Sequence, residues 1–458
     1  MRASSQRRVQ FVGMRDEAMT VIAKRNAVKP DYLYGFLVVT FLLFAIRDGL
    51  TGSIRYFFTI FHIDMLWFVP DFLALISFGI FFYQQFFVKR NIFGIYLVII
   101  FIFSLFVSVL FMNKTFFPFF SSIKMFVPMF VGFCFYDRSI TEWRSVRIIL
   151  AVVFIASAIG LILNPYIEYP WLGQTINSFG LERQATKLWW QEGGVRYGGL
   201  AGDSTMAAYM TIFTYFLISF RMSLILNIIC WPLVIWAVLV STSKTALGLF
   251  GVYIIIYLIA YFMNDRDRII RFFRLNARLS YIAILVPPFL MIALRGYDLG
   301  SISSSLFSLS DRINNTWPLP FFVISDIFPV GLLVGCGIGC YVYPMEYTDL
   351  AYLMSPVDNF YISTYIQMGV PYLIFVLIQF FCIKFSKDPI KLVLILLLNI
   401  YTTTIQCYGP SYATLLLGYA FSEMFAHEWR RSRVANSKGR SQSLMPTSAA
   451  ITLRVKPR

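Results

Sequence analysis

The sequence predicts an all-α, polytopic integral membrane protein with about twelve transmembrane helices. Three observations predict it: the share of apolar residues, their grouping into blocks of spanning length, and the placement of positive charge between the blocks. Of 458 residues, 58% are hydrophobic and 14% charged, which is more apolar surface than one water-bounded core encloses. The blocks run to about 16 to 23 residues, the length a helix needs to cross roughly 30 Å of hydrocarbon at 1.5 Å per residue.

Taken in order, the predicted spans are 31 to 46, 65 to 87, 93 to 112, 118 to 136, 146 to 163, 205 to 220, 223 to 240, 245 to 263, 279 to 295, 363 to 383, 389 to 407 and 411 to 425. Around them the chain divides into a basic cytoplasmic arm over 1 to 30, a transmembrane domain over 31 to 434, and a basic tail over 435 to 458. Arm and tail lack an apolar period and are expected to be mobile beside an anionic inner leaflet. No cleavable signal peptide is visible, because the first block follows about thirty basic, polar residues with no small-residue cleavage site behind it.

A net charge of +16 would suggest nucleic acid in a soluble protein, but here its location gives it a different meaning. With the N-terminus inside, the cytoplasmic segments hold about 29 of the 39 Lys and Arg, as the positive-inside rule requires. Arg266, Arg268, Arg271, Arg274 and Arg278 share one loop, and Arg430, Arg431 and Arg433 lie near the end. Both termini are thus expected in the cytoplasm, with the bilayer as partner and no nucleic acid. Of the six cysteines, Cys336 and Cys340 fall on the outer side, Cys134, Cys230 and Cys382 in spans, and Cys407 at an outer helix end. They form no disulfide framework or zinc pattern and are expected to be packing residues.

Two outer segments are long, 164 to 204 and 296 to 362. The first mixes Trp171, Trp189, Trp190 and Tyr197 with Glu182, Arg183, Lys187, Glu192 and Arg196, a composition suited to an amphipathic segment at the membrane surface. The second carries apolar stretches at 316 to 334 and 348 to 354, expected as short interfacial or re-entrant helices over a cavity. No repeat of equal halves is visible, which weakens an inverted-repeat transporter reading.

Three features could carry chemistry. Arg196, Lys244 and Arg312 are cations on the side that otherwise avoids them; Arg196 precedes the sixth span and Lys244, after Ser243, opens the eighth. Fixed cations at that depth face water or an anion, and arginine matches phosphate through paired N–H donors; the alternative is snorkelling or pairing with an acid such as Asp203. The run Gly335-Cys336-Gly337-Ile338-Gly339 lacks the strand and helix of a dinucleotide fold, and is expected as a turn where backbone passes close to a neighbour. Asp358-Asn359 stands before the tenth span, where Asp358 either acts as a general base towards a hydroxyl or caps the helix. With only His62 and His427 in the chain, a Ser-His-Asp hydrolase is not expected.

In this order the features resemble the family of bacterial O-antigen ligases and Wzy-type polysaccharide polymerases. The family's arginine, glycine turn and acid before a span match Arg196-Tyr197-Gly198-Gly199-Leu200-Ala201-Gly202-Asp203. Its serine and basic residue match Ser243-Lys244, with Lys where the family usually has Arg. Its arginine, tryptophan, proline and glycine series matches Arg312, Trp317, Pro329 and 335 to 339. Its acidic or histidine residue followed by asparagine matches Asp358-Asn359, with Gly369 beyond, and Asp in place of His points to the polymerase branch. The likeness covers roughly 190 to 385.

The resemblance implies a fold similar to the glycosyltransferase C class, in the bacterial inner membrane, with a catalytic cavity facing the periplasm. It implies exopolysaccharide or O-antigen biosynthesis, in which a growing glycan passes from undecaprenyl pyrophosphate to a hydroxyl of a lipid-linked repeat unit. Asp358, Arg196 and Arg312 would be catalytic. Lys244, Ser243, Asp203, Asn359 and Trp317 would bind pyrophosphate or glycan, and Trp171, Trp189, Trp190 and Trp317 would stack on sugars or anchor at the interface. No cofactor and no metal is expected, since fixed cations take the metal's part. The lipid-linked oligosaccharide is the expected partner, with a chain-length regulator and a flippase beside it. The rival readings are a ligase joining polymer to lipid A core, and a lipid-linked oligosaccharide flippase or exporter.

Overall fold

A computed structural model describes residues 32–426 except 113–114, 179–180, 185, 188, 192–193, 264, 304–305 and 356, and the side chains of 176–178, 181–183, 189–191 and 194. The predicted arm over 1 to 30, the tail over 435 to 458, His427, Arg430, Arg431 and Arg433 lie outside the described residues, as do the side chains of Trp189, Trp190, Glu182, Arg183 and Glu192.

The chain is overwhelmingly helical. α1 (Tyr32–Gly49) leads through α2 (Thr51–Ile60) to α3 (Val69–Tyr83), which is extended by a 3-10 turn at Asp64–Phe68 and a π-helical turn at Gln84–Val88. Then come α4 (Ile92–Met112), α5 (Phe116–Phe126), α6 (Pro128–Phe133) and α7 (Arg144–Leu163). Two antiparallel hairpins follow, β1 (Thr175–Ser178) with β2 (Leu181–Gln184) and β3 (Trp189–Gln191) with β4 (Gly194–Arg196). α8 (Ser204–Ser219), α9 (Leu224–Val240), α10 (Lys244–Phe262), α11 (Arg266–Leu279) and α12 (Tyr281–Ala293) continue the bundle. The long segment after α12 contains α13 (Phe307–Asp311), α14 (Leu319–Ile327) and α15 (Gly331–Val334). The chain closes with α16 (Phe360–Met368), α17 (Val370–Cys382), α18 (Pro389–Tyr401) and α19 (Ser411–Phe421).

Among the described residues, seven helical segments are long and apolar enough to cross a membrane: Tyr32–Gly49, Asp64–Val88, Ile92–Met112, Phe116–Phe133, Arg144–Leu163, Lys244–Phe262 and Arg266–Ala293. Each contains or overlaps a predicted span. The other five predicted spans are helical but shorter, and local chemistry accounts for two of them. The block 363 to 383 is split at Gly369, whose φ of +66° is a left-handed conformation that glycine adopts without strain. The block 389 to 407 stops at Tyr401: Thr402 N still bonds Leu398 O at 2.9 Å, but Thr403 N and Thr404 N tighten onto Ile400 O and Tyr401 O at 3.4 and 3.2 Å, the three-residue spacing of a helix end.

At the centre lie α8, α18 and α19, buried along almost their whole length, as helices apolar all round must be. α19 packs on α6 backbone to backbone: a Cβ on Gly132 would come within 2.2 Å of Leu415 O, and one on Gly418 within 2.0 Å of Met129 O. Small residues permit this approach, and it is the usual way helices associate in lipid. The outer helices turn apolar side chains outward, Ile99, Ile102, Phe106 and Leu110 on α4 and Ile282, Leu285 and Phe289 on α12 being exposed.

Contacts define two ends of the bundle. At one, Tyr34 at the start of α1 donates to Ser139 O, Lys391 of α18 pairs with Glu423 and donates to Phe135 O, and Arg274 of α11 reaches Ser386 O. At the other, Gly52 N after α1 bonds Leu200 O at 2.9 Å just ahead of α8.

Two expectations are corrected. The segment 164 to 204 folds at its centre into the two hairpins rather than a single amphipathic stretch. Cys336 and Cys340 are joined in a disulfide, so they are more than packing residues; their spacing of four spans one tight glycine turn, a closure that composition does not reveal. Cys134, Cys230, Cys382 and Cys407 are free.

The glycine run behaves as read. Gly335, Gly337 and Gly339 all have φ between +84° and +93°, and a Cβ on Gly337 would stand 2.2 Å from Ser108 Cα. The run slots between α4 and the end of α16. Cys336 N and Gly337 N bond Ile366 O and Gln367 O at 2.9 and 3.0 Å, and Ile338 N bonds Ser104 O at 3.2 Å. Carbonyls left free by the break at Gly369 thereby find donors, which is how irregular backbone persists inside an apolar bundle.

Candidate functional site

Arg196 ends β4, its Cα opposite that of Trp189. The turn behind it is wedged between helices. Gly199 has φ +58°, a Cβ there would lie 2.9 Å from Leu161 N, and its N–H and carbonyl are held by Asn164 Oδ1 at 2.9 Å and Trp171 Nε1 at 3.1 Å. Trp171 is therefore a buried brace for this turn, stacked on Tyr169, and is neither a sugar platform nor an interfacial anchor. The turn leads into Asp203, the N-cap of α8, whose Oδ1 accepts from Met206 N at 2.8 Å.

Arg312 opens a π-helical turn, Arg312–Thr316, closed by Trp317 N on Arg312 O at 2.9 Å. The wide turn sorts its residues by face. Ile313 and Trp317 point into a second apolar cluster with Met112, Ile324, Cys336 and Tyr341, while Arg312 points the other way. Trp317 is 2% exposed, so its ring is closed to the glycan contact expected of it; a bulky aromatic in a polar loop has served as the loop's own core.

Arg312 Nη2 lies 3.5 Å from Asp358 Oδ2, with the two side chains 23% and 52% exposed. Asp358 does not cap α16. That task falls to Asn359, 1% exposed, whose Oδ1 accepts from Ile362 N at 2.8 Å and whose Nδ2 donates to Thr403 O at 2.7 Å. Asn359 is thus a cap and tie rather than a ligand-facing group, and the Asp358 carboxylate is left to the open side.

Lys244 is the exposed first residue of α10, and Ser243 is the cap, its Oγ accepting from Ala246 N at 3.4 Å. The next residue, Thr245, accepts from Thr404 Oγ1 at 3.0 Å. The turn 402–404 therefore holds α10 through Thr404 and α16 through Thr403 and Thr402, whose carbonyl takes Phe360 N at 2.9 Å. Through this turn the openings of α10 and α16, with Lys244 and Asp358, stand at one end of the bundle.

Arg196 belongs to the same constellation. Burial pulls its pKa below the usual arginine value; Asp203, Tyr401 and Asp358 oppose the shift and Arg312 adds to it. These influences place Asp203, Tyr401, Asp358 and Arg312 within the electrostatic reach of Arg196. The Nε atoms of Arg196 and Arg312 are both buried without a hydrogen-bond partner among the described residues. Two half-buried guanidiniums with spare donors beside an open carboxylate can take a phosphate-class anion and hold a hydroxyl near a proton acceptor. Among the described residues no three His, Cys, Asp or Glu gather as a metal-binding group.

Sequence reasoning missed two parts. Tyr401, buried with its hydroxyl unpartnered among the described residues, lies within the electrostatic reach of Arg196 and reads in sequence as one more aromatic in a span. A buried ionic network also lies nearby: Arg47 binds Asp48 Oδ1 at 3.0 Å and Asp71 Oδ1 at 2.9 Å, and Lys124 binds Asp71 Oδ2 at 3.3 Å. The remaining Asp48 oxygen accepts from Tyr412 N at 2.7 Å, so the network fixes the start of α19 and with it the loop that follows Thr404. Trp67 is sandwiched near both Arg47 and Arg55, at 5.1 and 4.2 Å. Charged residues inside or at the edge of apolar blocks were the available signal.

Compared with protein-family models, curated proteins and solved structures, the chain matches none.

Proposed function

We propose that this chain is a polysaccharide polymerase of the bacterial inner membrane, moving a growing glycan from undecaprenyl pyrophosphate onto a hydroxyl of the next lipid-linked repeat unit. The observation that supports it is the Arg312 and Asp358 pair at 3.5 Å, with Arg196 in the same field and Lys244 opening a helix at the same end. In the reaction the bond from the anomeric carbon to the pyrophosphate oxygen breaks and a bond to the acceptor oxygen forms. Charge grows on the leaving pyrophosphate, where Arg196, Arg312 and Lys244 stabilise it. Asp358 receives the acceptor's proton, and attack from the opposite side inverts the anomeric centre.

In the resting arrangement Arg312 is spent partly on Asp358. An arriving pyrophosphate carries more negative charge than a carboxylate and draws the guanidinium towards itself, releasing Asp358 to act as the base. We place this end of the bundle on the periplasmic side and both termini in the cytoplasm. Support comes from the basic residues crowding the loops of the opposite end, and from the disulfide at 336 and 340, a bond that persists in oxidising compartments.

The test is purified protein in lipid given a lipid-linked repeat unit. A ladder of products supports polymerisation. A single transfer to a lipid A core acceptor indicates a ligase, and translocation without bond formation indicates a flippase; either result overturns the proposal.

A further inference from the structure

At the end of the bundle opposite Asp358, α11 runs into α12 as one helical segment of 28 residues, Arg266–Ala293, because Ser280 between them keeps a helical φ of −62° and ψ of −17°. At 1.5 Å per residue the segment is about 42 Å long, about 12 Å more than the hydrocarbon a span must cross. Arg295, its guanidinium 4.4 Å from the Phe322 ring centroid, follows the far end, so the surplus of about eight residues falls on the first two turns of α11. Tilting would absorb the surplus, but it would carry Arg268 and Arg271 into hydrocarbon, where a guanidinium is costly.

The outward face changes character at the same place. Arg268, Arg271, Leu275, Leu279, Ile282 and Val286 follow one another at intervals of three or four residues, which sets them on one line along the helix, and all six are exposed. The line is guanidinium up to 271 and hydrocarbon from 275 onward, while Phe273 and Ala277 on the other side are buried. Arg268 Nε lies 3.3 Å from Asp265 Oδ2, the two side chains 74% and 47% exposed, and Arg271 Nε donates to Asp267 O at 3.4 Å. A guanidinium has five N–H donors, so both arginines keep their terminal amino groups for an anion. More positive charge gathers at this level. Arg274 Nη2 donates to Ser386 O at 3.0 Å, drawing in the linker that carries the exposed Lys384 and Lys387, and the linker's acid, Asp388, is engaged in capping α18 through Ile390 N at 2.9 Å.

We infer that the first two turns of α11 bind an anionic phospholipid of the leaflet at this end, its phosphate between Arg268 and Arg271 and an acyl chain along Leu275, Leu279 and Ile282. Arginine suits the phosphate because its paired donors match two phosphate oxygens. A free phosphate ion or an acidic peptide would use the guanidiniums alone; a lipid uses both the cations and the apolar line that continues them. The inference is independent of the catalytic reading, since it concerns the other end of the molecule.

The test uses the full chain in detergent, with native mass spectrometry and thermal melting in added phosphatidylglycerol, phosphatidylcholine or inorganic phosphate. Phosphatidylglycerol should be retained through delipidation and raise Tm, with phosphatidylcholine weaker and inorganic phosphate without effect. Arg268→Gln with Arg271→Gln should reduce the preference for the anionic lipid roughly thirtyfold, as two cations near an anionic surface contribute. Arg266→Gln removes the same kind of charge about 160° away around the helix and should keep the preference. Leu275→Asn with Leu279→Asn, at two exposed positions, should weaken both lipids together. Equal retention of the two lipids by the unaltered chain, stabilisation by inorganic phosphate to the same degree, a preference that survives in the Arg268 and Arg271 pair or falls as far in Arg266→Gln, or unchanged binding in the Leu275 and Leu279 pair would each overturn the inference.

Discussion

The side chain of Asn359 bonds Ile362 N at 2.8 Å and Thr403 O at 2.7 Å, while that of its neighbour Asp358 turns outward to Arg312 at 3.5 Å. On the proposed function, two adjacent short polar residues thus divide structure and chemistry between them. Replacing each gives opposite signatures. Asn359→Ala removes a helix cap and a tie, and should lower stability by about 1–2 kcal/mol. Asp358→Asn should leave stability within about 0.5 kcal/mol while cutting polymer formation by about 10²-fold or more. Thermal melts and product ladders from the same preparations check both; equal stability losses for the pair would remove the division of labour.

Arg312 serves as a fork as well as a charge. Arg312→Lys preserves the charge but loses the planar pair of donors, so it should retain part of the activity, while Arg312→Ala should lose about 10²–10³-fold, the scale of one preorganised electrostatic contact. Turnover of a lipid-linked donor by the two variants is the measurement. Identical rates for Lys and Ala would show that the positive charge at 312 contributes nothing to the transition state.

How far the candidate site could be read beforehand depended on whether its residues announce themselves locally. Arg196, Lys244, Arg312 and Asp358 did, because charge is conspicuous beside an apolar block on the side that otherwise avoids it. The cap expected as one role of Asp358 falls to Asn359 instead, since both side chains suit the role and only the backbone register decides. Trp317 was misread for a related reason: whether an aromatic in a loop faces a ligand or a core depends on which face of the Arg312–Thr316 turn it occupies. Arg47, Asp71 and Lys124 sit in three different blocks, and their pairing exists only once α1, α3 and α5 come together. The break in the tenth span was foreshadowed by Gly369 and Pro371, but not the carbonyls that the glycine run would satisfy there.

Gly337 is the tightest point of that run. Gly337→Ala must place a Cβ 2.2 Å from Ser108 Cα at a φ of +93°, so either α4 or the loop moves. The strained backbone alone costs about 1–3 kcal/mol, and the clash adds to it. Gly79→Ala, where nothing lies within 4 Å, is the control and should be neutral or stabilising through its helix propensity. Melting temperatures in matched detergent decide; a Gly337 variant as stable as the Gly79 one would mean the close approach does not exist.

The carboxylate of Asp71 is shared, one oxygen to Arg47 and the other to Lys124, and all three side chains are 14% exposed or less. Asp71→Asn leaves two cations in an apolar bundle with half their compensation gone, and the loss should be about 3–5 kcal/mol, the scale on which one partner of a buried pair is missed. The double variant Asp71→Leu with Lys124→Leu removes charge of both signs and leaves Arg47 paired with Asp48, so it should recover much of that stability. Activity should follow a different course. Because Asp48 also accepts from Tyr412 N, Arg47→Met frees Asp48 to shift, disturbs the start of α19, and through the loop behind Thr404 slackens the seats of Lys244 and Asp358. Its turnover should fall more than its melting temperature alone accounts for, whereas the leucine pair should lose activity only in proportion to stability. Measuring both quantities across the three variants separates the network's part in folding from its part in holding the site.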